Sequence, residues 1–244
     1  TEIYTLSLHD ALPIYHNSKT DTAKISCMIK IGDVLSDQNP DSAIVWLNMA
    51  TKEIDNKIDE SMFFQKSMLE KLEKQKSSAL NIIGYSNLSK GLYEQSFHEF
   101  DQARQILVKL NDKKYLPVTL MNMGICYKEL GKLDSALVFY EEARTLYLQN
   151  MDSSGYMKVA GNIGVVYQRH GKYREALAYY VEVAKYAERH KQHQMHFISL
   201  NNIGYLYYLM DNKSKAIDYF LQCLDVLLKS GNQKIGRASC RERV

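Results

Sequence analysis

Apolar residues in this chain fall into two kinds of stripe that alternate. Leu120, Met123 and Tyr127 stand at i, i+3 and i+7, which puts them on one side of an α-helix. Further on, Ala136, Tyr140 and Ala143 stand at i, i+4 and i+7 and make a second helical stripe. Gly131-Lys132 lies between the two, and a glycine there predicts the turn of a helical hairpin. The arrangement recurs every 40 residues. Gly84, Gly124, Gly164 and Gly204 keep that spacing without a slip, in NIIGYSN, MNMGICY, GNIGVVY and NNIGYLY. A turn glycine follows at Gly91, Gly131 and Gly171, with Asp211 in the fourth unit. Ser96, Ala136, Ala176 and Ala216 form a column of small residues. Phe100, Tyr140, Tyr180 and Phe220 form an aromatic column, and Ala103, Ala143, Val183 and Cys223 follow it.

A glycine inside a helix costs about 1 kcal/mol relative to alanine, so four at one period require a compensating gain. Close approach of the two helices supplies it. The expectation is that each glycine faces the small residue of the second helix, and that the aromatic column fills the groove between successive hairpins. Small-Gly-x-x-Tyr, then Gly, then Ala-x-x-x-aromatic-x-x-Ala resembles the tetratricopeptide repeat in a 40-residue form. The resemblance implies an all-α fold, an α-solenoid of about five antiparallel helical hairpins wound as a right-handed superhelix.

Residues 78–233 hold four such repeats, and 15–77 read as a degenerate first repeat. There DSAIVWLNMA aligns with DSALVFYEEA of 134–143, placing Ala43, Leu47 and Ala50 in the second-helix columns. Asn39 fits as N-cap and Pro40 as the first helical residue. The partner helix is expected at about 20–36. Ala43 to Ser96 spans 53 residues, 13 more than the period, and 57–78 lacks glycine and proline. Extended helices, rather than a loop, therefore absorb the excess. Asn87 stands where the other units carry Tyr127, Tyr167 and Tyr207.

The ends depart from this pattern. One codon choice for IGRASCRERV, reverse-complemented and shifted by one frame, reads LSLHDALPI, the residues from Leu6 to Ile14. Both ends resemble translated sequencing adapter, so 1–14 and 234–244 are set apart from the fold, and the remainder reads as a segment of a longer gene. Setting them apart removes Glu2, Asp10, Lys234, Arg237, Arg241, Glu242 and Arg243 and leaves 27 basic against 25 acidic residues, a net +2. That near-neutral balance gives no electrostatic case for nucleic acid or an anionic membrane as partner. No apolar run approaches the ~18 residues of a membrane span. Cys27, Cys126 and Cys223 are far apart and lie in or near packing columns, which points to small core residues rather than a disulfide or zinc framework.

Candidate chemistry is sparse. Phosphate-loop, zinc-protease, nucleophile-elbow and dinucleotide motifs are all missing. His190, His193 and His196 straddle a hairpin junction with no adjacent carboxylate and read as solvated. Neither catalysis, a metal nor a cofactor is expected.

The expected partner is a protein or peptide. Two residues before the repeat glycine stand Asn122, Asn162 and Asn202, with Ile82 breaking the column. In peptide-binding members of the resembled family such asparagines contact a ligand's main chain. An amide offers a donor and an acceptor to any peptide bond. The other reading has them hydrogen-bonded within or between repeats. Tyr85, Tyr205, Tyr208, Lys128, Gln168 and Arg169 are expected to flank the same groove. The two C-terminal tyrosines suit an apolar segment of a partner or, alternatively, the packing of a further repeat. The N-x-G-x-x-Y repeats resemble those that precede the output domain of bacterial signalling regulators. A free-standing adaptor or peptide-sensing receptor is the alternative. The last helix, expected at about 213–230, would leave its next-repeat face open and lead to self-association.

Overall fold

The computed structural model describes residue 15 and residues 20–60 and 66–230; both adapter-like ends lie outside these. Ten helices and no strand occur among the described residues. They are α1 (Asp21–Ser36), α2 (Pro40–Glu60), α3 (Lys66–Ser89), α4 (Tyr93–Lys109) and α5 (Leu116–Glu129). After these come α6 (Leu133–Gln149), α7 (Ser153–Arg169), α8 (Tyr173–Arg189), α9 (His193–Leu209) and α10 (Lys213–Ser230). The fold is all-α and built of antiparallel hairpins, as the two stripes predict. The chain divides into two compact units inside α6, between Glu142 and Ala143.

Local chemistry sets the helix ends. Asn39 caps α2 by accepting from Ser42 N at 3.1 Å, and Asp152 caps α7 by accepting from Gly155 N at 2.8 Å. At the hairpin turns Gly91, Gly131 and Gly171 take φ of +76°, +74° and +73°, the left-handed region where a Cβ is strained. This reversal lets Lys132 N reach back to Tyr127 O at 2.9 Å and close the last turn of α5. Asp211 adopts the same conformation, at φ +56°.

In the first unit α1, α2 and α3 share a core of Ile31, Leu35, Ala43, Leu47, Ala79 and Ile83, continued by Ile25, Ile54 and Leu72. Helices α2 and α3 run 21 and 24 residues, longer than the 17 of α4. Polar bonds tie α3 to its neighbours. Gln75 Nε2 donates to Ser26 Oγ at 2.7 Å, and Thr119 Oγ1 of α5 donates to Asn81 Oδ1 at 2.9 Å. Asp112, just before α5, accepts from the Lys114 and Tyr115 backbone N–H groups and lies 2.8 Å from Lys74 Nζ. Burial works against its carboxylate, but Lys74 and those N–H groups outweigh it and hold the pKa below the ordinary value.

Stability drawn from a depressed carboxylate is present above the unfolded pKa, about 3.9, and is lost as pH falls through the lower folded value. Asp112→Ala is therefore expected to cost about 1–2 kcal/mol near neutrality. The gap to the parent should shrink below about pH 4. Urea melts at neutral and acid pH check this; a gap that stays constant in acid would exclude the ionic contribution.

The second unit centres on Ala176, Tyr180 and Ala184 of α8, Phe197, Leu200, Ile203 and Leu206 of α9, and Cys223 and Val226 of α10. Cys27, Cys126 and Cys223 are all buried thiols.

One packing expectation is corrected. A Cβ built on Gly84, Gly124, Gly164 or Gly204 would lie 2.7, 2.5, 2.7 or 2.8 Å from a ring carbon of Phe100, Tyr140, Tyr180 or Phe220 respectively. The repeat glycine thus seats the aromatic ring of its own hairpin. The ring lies inside the hairpin, not between successive ones. In the second repeat the small residue instead meets the glycine's backbone, with Ser96 Oγ donating to Gly84 O at 2.6 Å. The first repeat carries the same device in a form that the 40-residue column misses: a Cβ on Gly32 would lie 2.4 Å from Leu47 Cγ.

Candidate functional site

The residues expected to meet a ligand sit on the first helix of each hairpin, and each unit presents its own set. In the first unit Asn122 on α5 is half-buried. Among the described residues no protein group hydrogen-bonds its side-chain amide. Tyr85 on α3 is exposed, and its phenol pKa is raised by partial burial and by the nearby Asp37 carboxylate. Lys128 is withdrawn: its side chain is only 13% exposed and Nζ lies 2.8 Å from Glu129 Oε1. A cation already paired in this way is a poor clamp for an acidic ligand.

In the second unit Asn162 on α7 is half-buried and likewise lacks a hydrogen-bond partner among the described residues. Asn202 on α9 is half-buried and engaged in an interaction of its own. Asn81, one position earlier in its repeat, bonds between repeats by accepting from Thr119 of α5. Gln168 departs from expectation, because its Oε1 accepts from Tyr180 OH at 3.0 Å and is committed to holding α7 against α8. Arg169 is exposed in the last turn of α7. Tyr205 and Tyr208 stack on α9 with ring centroids 6.3 Å apart, and Tyr208 is 57% exposed. Asn202, Tyr205 and Tyr208 therefore share one side of the helix, with spacing i, i+3, i+6. Gln192 Nε2 donates to Ser154 Oγ at 3.4 Å and links the start of α9 to that of α7.

A second recurring arrangement escaped the sequence reading. Tyr127 stacks on Phe139, Tyr167 on Tyr179 and Tyr207 on Tyr219, with centroids 5.5, 5.6 and 5.5 Å apart. Lys132, Lys172 and Lys215 lie 5.7, 5.8 and 5.1 Å from the first ring of each pair. These stacks brace the hairpins. The signal was present as a tyrosine three residues after the glycine and an aromatic residue fifteen after. The second repeat replaces both partners together, with Asn87 and Glu99, and burial raises the Glu99 pKa.

His196 is also corrected. It is half-buried rather than solvated and lines a crevice of about 250 Å³ with Val181, Lys185, Glu188, Tyr219 and Asp225. Burial lowers its pKa, Glu188 opposes that and His193 adds to it. Among the described residues no group of three His, Cys, Asp or Glu side chains is placed to hold a metal ion. No helix among them is long and apolar enough to cross a membrane.

A model of the tetratricopeptide repeat family matches residues 75–149 and 156–229. No curated protein matches the chain in sequence. Among solved structures, BtubC from P. vanneervenii is similar at TM-score 0.71 and 14% identity, covering 93% of this chain and 89% of that one. The Rap conjugation gene regulator of plasmid pLS20, solved in complex with the Phr* peptide, is similar at TM-score 0.64 and 15% identity; the match covers 90% of this chain and 62% of the regulator. A putative kinesin light chain from Podosopora anserina with TPR-like repeats is similar at TM-score 0.65 and 10% identity, over 88% of this chain and 99% of that one. At these identities the likeness is one of fold.

Proposed function

The chain belongs to the tetratricopeptide repeat family, and from that premise we propose that it binds an extended peptide or protein segment through the asparagine-bearing side of its first helices. The observation that carries this reading is Asn162 in the second unit, and Asn122 in the first shows the same feature by itself. Each is a half-buried amide with no hydrogen-bond partner among the described residues. Such an amide can offer both its donor and its acceptor to a peptide bond of the ligand. Tyr208, exposed and stacked on the half-buried Tyr205, adds an aromatic surface for an apolar side chain of the ligand. The role is one of binding rather than catalysis, with no nucleic acid among its partners.

A peptide-bound regulator of similar fold favours reading the module as the sensory arm of a signalling or transcription regulator over a free-standing adaptor. Self-association through the open face of α10 belongs to the same reading.

A peptide array followed by calorimetry on the best binder tests the site. Asn162→Ala is expected to weaken binding severalfold or more, from the hydrogen bonds lost to the ligand. Helicity and melting temperature should stay near those of the parent. Unchanged affinity would remove Asn162 from the site.

A further inference from the structure

The crevice lined by His196 lies in the second unit, walled by α8, α9 and α10. On α9 its residues His196, Leu200 and Ile203 stand at i, i+4 and i+7, the side opposite Asn202, Tyr205 and Tyr208. Buried Ala184, Leu200, Ile203 and Val226 make its floor, and exposed Lys185, Glu188 and Asp225 stand around it. Its α10 wall of Tyr219, Gln222 and Val226 faces away from a second apolar stripe on that helix, the exposed Ile217, Leu221, Leu224 and Leu228. The crevice therefore does not depend on what covers that stripe. One repeat earlier, Glu182 and Lys185 hold the positions of Gln222 and Asp225 and stay exposed although another hairpin follows them.

The preceding repeat carries what the crevice lacks. Forty residues before Ala184, His196 and Val226 stand Arg144, Tyr156 and Tyr186. Arg144 Cζ lies 6.0 Å from the centre of the Tyr156 ring, a cation over an aromatic face. In the last repeat alanine replaces that arginine, and histidine and valine replace the two tyrosines, so bulk and a positive charge are lost together. Negative charge is gained, with Glu188 in the place of Leu148 and Asp225 in the place of Lys185. The open space is about 250 Å³. That is below the roughly 300–1,000 Å³ of pockets for drug-sized ligands and suits one side-chain-sized group. Glu188 makes no hydrogen bond or ion pair among the described residues, and Asp225 meets Lys229 through Oδ2 at 2.6 Å. Burial and His193 hold the His196 pKa below its ordinary value against the pull of Glu188. Its ring is thus mostly neutral at pH 7 and offers a flat face that does not repel a cation.

We propose that this crevice binds a guanidinium group, from a free arginine-like molecule or an arginine side chain of a partner, seated as Arg144 is one repeat earlier and paired with Glu188 and Asp225. Guanidinium is preferred to ammonium because its planar fork pairs bidentately with a carboxylate and stacks on a flat ring. Lys185 opposes a cationic guest, but its side chain is exposed and long enough to turn the ammonium into water.

Calorimetric titration of the full chain with free arginine, N-acetylarginine amide and N-acetyllysine amide tests the site. At least one arginine form should bind saturably, and about tenfold or more tighter than the lysine form. Tighter binding of free arginine assigns the site to a small molecule, and tighter binding of the blocked form assigns it to a partner's side chain. Glu188→Gln should weaken the binding about tenfold, from lost charge-assisted hydrogen bonds. Lys185→Met should strengthen it by removing the opposing charge. Ala184→Arg should fill the space from within and abolish it, with the far-ultraviolet dichroism unchanged. Ala184 is buried, so the exposed Glu188→Gln serves if that variant loses helicity. Absence of saturable binding by either arginine form, equal affinity for the lysine form, or indifference to Glu188→Gln overturns the proposal.

Discussion

Phe100→Ala is expected to cost about 3–5 kcal/mol, the range for emptying an aromatic site in a well-packed core. The ring is fully buried, and its edge fills the space that the missing side chain of Gly84 leaves on α3. Removing it separates the two helices of one hairpin from the inside. The cavity cannot collapse, because the α3 backbone on one side is held by its own hydrogen bonds. Chemical denaturation of the two proteins gives the number. Gly84→Ala makes the complementary experiment. In the parent its Cβ would meet Phe100 Cε1 at 2.7 Å, so it should destabilise. With Phe100→Ala already present the same change has room and should be neutral or favourable. Such non-additivity is the signature of direct contact. Additive costs would show that the ring does not depend on the glycine.

Gly155→Ala and Gly161→Ala should move stability in opposite directions although both lie in α7. A Cβ at Gly155 would stand 2.1 Å from Tyr147 Cε1, closer than at any other described glycine. Tyr147 is itself buried, so the ring has little freedom to withdraw; burial, with Asp152 nearby, also pushes its phenol pKa up to about 12. Overpacking of this kind costs about 1–3 kcal/mol, and the close approach places Gly155→Ala toward the upper end. At Gly161 an added Cβ meets nothing within 4 Å. Only the helix propensity remains, and Gly161→Ala should stabilise by up to about 1 kcal/mol. Thermal melts of the two variants settle the signs. A destabilised Gly161→Ala would mean that the open side of α7 is occupied in solution.

Much of this was legible in the sequence. The period of 40 residues, the in-register columns and the turn glycines specify helical hairpins, because each column maps to one side of a helix whatever lies opposite. Asn39 and Pro40 likewise announce the start of α2 through purely local bonds. The candidate site was legible as a column, since Asn122, Asn162 and Asn202 share one register. Their environment was not. Gln168 and Lys128 stand in groove columns by number, yet one accepts from Tyr180 and the other pairs with Glu129. A column says which way a residue faces, not whether a neighbouring side chain reaches it first.

The same division runs through the packing. The sequence by itself determined that a glycine and an aromatic residue recur at fixed separation in each hairpin, because periodicity is a property of one chain and one helix pitch. Only the tertiary structure decided that the ring sits on its own glycine, that Gly32 and Leu47 repeat the device one residue out of step, and that the second apolar stripe of α10 lies open. Those outcomes depend on how closely two helices approach and on which side chain fills the space between them. That distance is set jointly by residues far apart in the chain and is written in no single segment.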